Sequence, residues 1–254
     1  MSTFTPDVSA VLDDLTATLP RVLGGNLVGM YLYGSLTQDA FDPRRSDIDC
    51  IAVIHREVTD DEFRRLELQL GRAAAGNPWF ARLQLSFLIR DTILVEAPRG
   101  NCLFQFGRLS RVGSDGNPIF WVNVLESGVT LFGPPAETFV PRITRELLDV
   151  ALLREVGYLS EEIREKPAGE WRDDPAYRAY AVLTLCRILY THAHGAVVSK
   201  PRAAEWALES LPTEWHEIIV HARAADAGSA GSVLDLPRIA SFIEFSLARL
   251  ESRR

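Results

Sequence analysis

The stretch YLYGSLTQDAFDPRRSDIDCIAV, residues 31–53, decides the fold that this sequence predicts. It opens with an apolar run, turns at the Gly-Ser pair at 34–35, and passes through a polar segment. It ends in a second apolar run that is headed by Asp-Ile-Asp at 47–49. Apolar runs on either side of a Gly-Ser break predict two strands joined by a turn and a polar loop.

The polar residues of this stretch predict chemistry on phosphates. Side chains alternate along a strand, so Asp47 and Asp49 should share a face, about 7 Å apart, and could bind a hard divalent cation together. Gly34 lets the backbone approach a ligand closely, and Ser35 offers a hydroxyl and an amide at the start of a following helix. The combination indicates phosphoryl or nucleotidyl transfer. The alternative is an ordinary Gly-Ser turn followed by two solvated aspartates.

Composition limits the class of protein. The chain has 254 residues, 47% hydrophobic and 24% charged, which is typical of a soluble globular protein of one large or two small domains. The formal charge of −7 disfavours a nucleic-acid partner. No apolar run approaches the roughly 20 residues of a membrane span, and the first residues lack a signal-peptide pattern. We therefore expect a cytoplasmic monomer with three reduced, packed cysteines and without a membrane partner.

The pattern of the chain changes at Gly133-Pro134-Pro135. Before it, a helix is predicted over 6–23, strands over 27–33, 47–55 and 82–89, a helix after Thr59, and short elements over 103–111, 120–126 and 129–132. After it, helices are predicted over 143–166, 175–194, 200–211, 213–225 and 236–250. We expect an α+β fold, with a mixed β-sheet domain over residues 1–135 followed by an all-α helical bundle over 136–254.

Two motifs resemble known families. The Gly-Ser turn, the spacer and the Asp-x-Asp strand start resemble the nucleotidyltransferase superfamily. The segment LTLCRILYTHAHGAVVSKPRAAEWALESLP, residues 183–212, resembles the helical domain of bacterial aminoglycoside adenylyltransferases of the streptomycin and spectinomycin 3″/9 type. The resemblance covers both halves and implies a nucleotidyltransferase domain followed by a helical bundle. It also implies transfer of AMP from Mg-ATP to a drug hydroxyl, pyrophosphate release, and a role in antibiotic resistance.

The resemblance also implies roles for particular residues. Asp47 and Asp49 take the place of the metal ligands for Mg²⁺. The positions that hold the ATP phosphates are Gly34, Ser35, Ser46, Arg187 and Lys200. With the cation on one side of the phosphates, the last two would close the other side with positive charge.

This sequence departs from the family at the base position. Where the family has a glutamate on the third strand that acts as general base, this chain has Gln84. An amide can orient a hydroxyl but cannot take its proton, and loss of a general base costs about 10²- to 10⁴-fold. Asp91 and Glu96 could replace it only through a bulge or a returning loop. The proton could also pass to water or to a phosphate oxygen.

The drug-facing positions have changed as well. The family's aspartate before the Leu-x-Leu-x-Arg helix falls on Tyr177, and the nearby candidates for acceptor binding are Trp171, Asp173 and Asp174. An aminoglycoside is polycationic and needs converging carboxylates. The implied acceptor is a small molecule with a hydroxyl, of aminoglycoside type, bound by a relocated or altered pocket.

Two alternatives stay open at this stage. A nucleotide-binding or regulatory module could keep the magnesium-triphosphate site and lose turnover, which Gln84 favours. A small antitoxin-like nucleotidyltransferase could act on a protein partner, which the long helical domain disfavours.

Overall fold

The computed structural model describes residues 4–95, 100–111, 117–164, 174–229 and 234–252. The chain divides into two compact units, Met1–Arg142 and Ile143–Arg254. The first contains a β-sheet with helices and the second is helical, which confirms the α+β fold.

A mixed six-stranded sheet forms the centre of the first unit. Its strands are β1 Leu27–Tyr33, β2 Ile48–Ile54, β3 Leu83–Ile89, β4 Cys102–Gln105, β5 Arg108–Ser110 and β6 Val129–Phe132. Their order across the sheet is β5-β4-β3-β2-β1-β6. Only the pairing of β2 with β3 is parallel among the described strand pairs. This parallel pair places the beginnings of β2 and β3 side by side.

The helices of the first unit are α1 Pro6–Leu23, α2 Asp60–Gly76, α3 Pro78–Ala81 and α4 Pro118–Ser127. The buried stripe of α1 packs with one face of the sheet in a single core, as the helical spacing of its apolar residues predicts. Thr59 begins α2 with a capping box, because its hydroxyl accepts from the Glu62 backbone while the Glu62 carboxylate accepts from the Thr59 backbone. The elements predicted for this half are present, within a few residues at each end, and α3 is an additional short helix that was not predicted.

The other face of the sheet carries an aromatic cluster. The ring of Tyr31 lies 5.8 Å from that of Phe139 and 6.5 Å from that of Trp121, centroid to centroid. The Tyr31 hydroxyl donates to the carbonyl of Pro134 at 2.7 Å. Burial, more than the nearby charge of Glu137, raises the pKa of Tyr31 to about 12. The chain that follows Pro135 therefore still packs on the first unit.

The second unit consists of helices α5 Arg145–Arg164, α6 Pro175–His194, α7 Lys200–Ser210, α8 His216–Asp226 and α9 Leu236–Glu251. Helix α6 begins at an Asp174 cap and ends at Gly195, whose φ of 73° is the left-handed conformation that glycine adopts without strain. Helix α6 is buried along most of its length and contacts four other helices of the unit. None of the helices in the described residues combines the length and apolar character that a membrane span needs. The three cysteines are buried free thiols, as predicted.

Candidate active site

Gly34 and Asp49 lie against each other where β1 ends and β2 begins. The register of the β1–β2 pair places Tyr33 opposite Asp49, so the carboxylate reaches the next residue, Gly34. A Cβ at position 34 would lie 2.4 Å from Asp49 Oδ2, and the φ of Gly34 is 80°. Any other residue here would be strained in its backbone and would displace the carboxylate. Both requirements explain why the turn needs glycine.

Ser35 lies in a short 3-10 helix, Gly34–Thr37, at the place where the sequence predicted that a helix begins. Within the turn, the Thr37 hydroxyl donates to the carbonyl of Gly34 at 3.1 Å. The amide of Ala40 donates to the carbonyl of Ser35 at 3.1 Å. These bonds fix the backbone around Ser35 beside the Asp49 carboxylate.

Asp42 organises the loop that leads to the aspartate pair. Its backbone amide donates to Ser46 Oγ at 3.0 Å, and its carbonyl accepts from the Ser46 amide at 2.9 Å. Its carboxylate pairs with Arg44 and Arg45 at 3.0 and 3.2 Å. The hydrogen bond from Arg44 is the main reason why the pKa of Asp42 falls to about 2. The Ser46 hydroxyl, predicted to hold phosphate, accepts a bond within the loop and can still donate its own proton to a ligand.

Asp47 and Gln84 are joined by a hydrogen bond. Gln84 Nε2 donates to Asp47 Oδ2 at 2.9 Å. The parallel register pairs Asp49 with Gln84, so all three side chains lie together at the edge of the sheet where the central strands β2 and β3 begin. Each of the three is partly buried. Asp47 immediately precedes β2, which begins at Ile48 where the Ile48 amide donates to the carbonyl of Arg82.

Arg82 was not predicted as a site residue. One end of its guanidinium donates to the carbonyl of Pro43 at 2.6 Å and the other to the carbonyl of Ser46. The guanidinium carbon lies 4.7 Å from the centroid of the Trp79 ring, within the range of a cation–π contact. Arg82 thus ties the loop to the start of β3. The sequence predicted Arg82 only as the first residue of a strand, and that position does not identify its partners.

The carboxylates considered as substitute bases do not reach this edge along the strand. Asp91 is exposed in a 3-10 turn after the far end of β3. The extended chain between Gln84 and Asp91 spans roughly 20 Å at about 3.3 Å per residue. Glu96 lies outside the described residues.

The donor set at this edge fits magnesium bound together with a triphosphate. Among the described residues, no cluster of three or more histidine, cysteine, aspartate or glutamate side chains could hold a metal alone. Mg²⁺ is commonly bound by one or two carboxylates, with substrate phosphates and water as its other ligands. Asp47 and Asp49 provide such a pair, beside the close approach that Gly34 permits.

The second unit carries the two predicted phosphate-binding cations on neighbouring helices. Lys200, the first residue of α7, places its ammonium 4.1 Å from the centroid of the Tyr180 ring on α6. Arg187 follows Tyr180 by two helical turns and so lies on the same side of α6, partly buried. The Tyr180 ring stacks on that of Tyr177 at 5.7 Å. The fold therefore brings Lys200 to the α6 surface that bears Arg187.

The predicted acceptor-binding residues are only partly described. Asp174 accepts from the amide of Ala176 at 2.9 Å, so its carboxylate caps α6. Burial, and next the charge of Glu162, raises the pKa of Tyr177, which therefore stays a neutral phenol at physiological pH. Trp171 and Asp173 lie outside the described residues. The roles of these four residues stay predictions.

The second unit contains a buried polar network that the sequence pattern did not predict. His192 Nδ1 lies 2.8 Å from Asp149 Oδ1, and Arg145 Nε lies 3.0 Å from Asp149 Oδ2. His192 is almost completely buried. The pairing joins α5 to α6.

Both halves of the chain are similar to known proteins. Residues 138–249 match the family model described as aminoglycoside adenylyltransferase, C-terminal domain. An aminoglycoside (3'') (9) adenylyltransferase of Shigella flexneri is 27% identical over 236 residues, which cover 87% of this chain and 86% of the relative. A spectinomycin 9-adenylyltransferase of Staphylococcus aureus is 24% identical over 228 residues, covering 82% of this chain and 80% of the relative.

A solved structure shares the fold. The crystal structure of a spectinomycin adenyltransferase from Enterococcus faecialis, with ATP and spectinomycin, superposes with a TM-score of 0.71 at 18% identity. The match covers 96% of this chain and 99% of that one.

Proposed function

This chain resembles the aminoglycoside adenylyltransferases over most of its length, and from that premise we propose that it transfers AMP from Mg-ATP to a hydroxyl of an aminoglycoside-like small molecule. The hydroxyl oxygen attacks the α-phosphorus of ATP, and the bond from that phosphorus to the bridging oxygen of the β-phosphate breaks. Pyrophosphate leaves, and the hydroxyl proton passes to water or to a phosphate oxygen. The products are the adenylylated acceptor, pyrophosphate and one proton.

The observation that supports this proposal best is the convergence at one sheet edge. Asp49 lies against Gly34, which has no side chain to obstruct it, and Asp47 is oriented by Gln84. Magnesium on this pair would neutralise phosphate charge and polarise the α-phosphate. The Gly34–Ser35 turn and Ser46 would hold the phosphates. For Arg187 and Lys200, a role in phosphate binding is inferred from the family resemblance alone. Catalysis in this arrangement comes from positioning and charge neutralisation rather than from a protein base.

The acceptor class is inferred from the relatives. Their names give aminoglycosides and spectinomycin as substrates. The changed residue at Tyr177 favours an acceptor that differs from those of the relatives in the arrangement of its cationic groups.

A second function is favoured by one observation. Because Gln84 is an amide bonded to Asp47, neither end of its side chain can act as a base. A module that binds Mg-ATP without turnover would keep the same edge of the sheet intact.

The experiment that tests the proposal measures magnesium-dependent pyrophosphate release from ATP against a panel of aminoglycosides and spectinomycin. We expect release with at least one acceptor and its loss in Asp49→Asn. Drug tolerance of a sensitive host that expresses the gene provides a second measurement. Binding of Mg-ATP without release for any acceptor would support the silent module instead. Absence of both binding and release would overturn both functions.

A further inference from the structure

We propose that Gln84 is a positioning residue that holds the Asp47 carboxylate ready for the metal, rather than the remnant of a general base. This inference rests on the proposed function, because it concerns the same magnesium site. In this role the Gln84 amide would fix the direction of the Asp47 carboxylate before Mg²⁺ binds.

The hydrogen bond provides the first argument. Gln84 Nε2 donates to Asp47 Oδ2 at 2.9 Å, which is the normal length for such a bond. Gln84 itself lies on a rigid element, since its neighbours Leu83 and Leu85 are completely buried in the core. An amide on a fixed strand therefore sets the direction of a carboxylate that lies just outside the next strand.

Arg82 provides the second argument. Arg82 ends the short helix α3, two residues before Gln84 and directly before β3. Arg82 binds the carbonyl of Ser46, the residue before Asp47, and is itself stacked on Trp79. The Arg82 side chain thus binds the backbone before Asp47, and the Gln84 side chain binds the Asp47 carboxylate. Two contacts, one on the Ser46 carbonyl and one on the Asp47 carboxylate, indicate preorganisation of this ligand.

The chemistry of the amide provides the third argument. A glutamate at position 84 would put a second negative charge about 3 Å from the Asp47 carboxylate, where like charges repel strongly. The glutamine amide instead donates a proton to that carboxylate and carries no charge. With glutamine in place of glutamate, position 84 provides no general base, but its amide orients the Asp47 carboxylate. Partners of metal ligands typically contribute a 10- to 100-fold factor in metal affinity.

The test is Mn²⁺ binding, measured from the electron paramagnetic resonance signal of free Mn²⁺ in the presence of a non-hydrolysable ATP analogue. Gln84→Met keeps the length of the side chain but removes the donor, and we expect it to weaken Mn²⁺ binding about 10- to 100-fold. Gln84→Asn keeps the amide but shortens its reach, and should weaken binding similarly. Gln105→Met, in β4 of the same sheet, is the matched control and should bind Mn²⁺ as the wild type does.

The outcomes separate this inference from the proposed function. Unchanged Mn²⁺ affinity in both Gln84 variants, with weakened affinity in Asp47→Asn, would overturn the positioning role alone. Unchanged affinity in Asp47→Asn would overturn the metal site on which the proposed function depends. Thermal unfolding of each variant identifies any loss of affinity that comes from loss of the fold. A weakened affinity in a folded Gln84→Met protein supports the inference.

Discussion

Two carboxylates, Asp47 in the first unit and Asp149 in the second, are each held by a neighbouring side chain but in different surroundings. Asp47 accepts from the neutral amide of Gln84 at a partly buried strand edge. Asp149 is paired with the guanidinium of Arg145 and with the buried ring of His192. An amide orients a carboxylate without adding positive charge, whereas a cation neutralises it. The first arrangement suits ligand binding, and the second suits the packing of two helices.

The pKa of Asp149 follows from its partners. Partial burial by itself raises this pKa, but the hydrogen bonds from Arg145 and His192 outweigh it and hold the pKa below the ordinary value. A carboxyl group whose pKa is lowered in the folded state adds stability at pH values above its unfolded pKa. That stability is lost as pH falls through the folded pKa.

The largest expected effect is loss of activity in Asp47→Asn. Removal of one charged metal ligand should lower kcat/KM for adenylyl transfer by about 10³-fold, equivalent to roughly 4 kcal/mol of transition-state stabilisation. The free energy of unfolding should change by less than about 1 kcal/mol, because this carboxylate is not part of the core. Pyrophosphate release and chemical denaturation measure the two quantities. If Asp47→Asn unfolded easily but kept its activity, Asp47 would have the structural role that we expect of Asp149.

Asp149→Asn should show the opposite behaviour, with a smaller effect. Loss of hydrogen bonds to a charged group should lower the free energy of unfolding by about 1–3 kcal/mol, with KM for ATP unchanged. The advantage of the wild type should be complete at about pH 6 and should shrink below about pH 4, the sign required by a lowered pKa. Glu161→Gln, an exposed change on the same helix, is the control and should have little effect. Equal stability of Asp149→Asn and wild type at about pH 6 would show that the network is not structural.

The smallest effect is expected at Tyr180. A cation–π contact at a partly exposed site contributes about 0.5–1 kcal/mol, so Tyr180→Leu should raise KM for ATP about two- to five-fold by freeing the Lys200 ammonium from its position. Tyr180→Phe keeps the ring and should leave KM near the wild-type value. Steady-state kinetics with varied ATP measure both. A lower KM in Tyr180→Leu would mean that the ring competes with the phosphates for Lys200.

Much of the architecture could be predicted from local pattern. The apolar stripe of α1 and the helix start at Thr59 each depend on residues within a few positions, and both are present as expected. The prediction that Gly34 lets the backbone approach a ligand stays a prediction, while its positive φ and its contact with Asp49 give a separate reason for glycine at this position. The helix expected to follow the Gly-Ser turn is a single short 3-10 helix, Gly34–Thr37.

The sequence by itself determined the elements and the order of the polar motifs, because periodicity, caps and turns act between neighbouring residues. Only the tertiary structure decided that Gln84 binds Asp47, 37 residues away, and that His192 binds Asp149, 43 residues away. The first contact depends on the parallel register of β2 and β3, and the second on how α5 packs against α6. Many registers and packings preserve the same apolar pattern, so the partners of a polar side chain follow only from the folded chain.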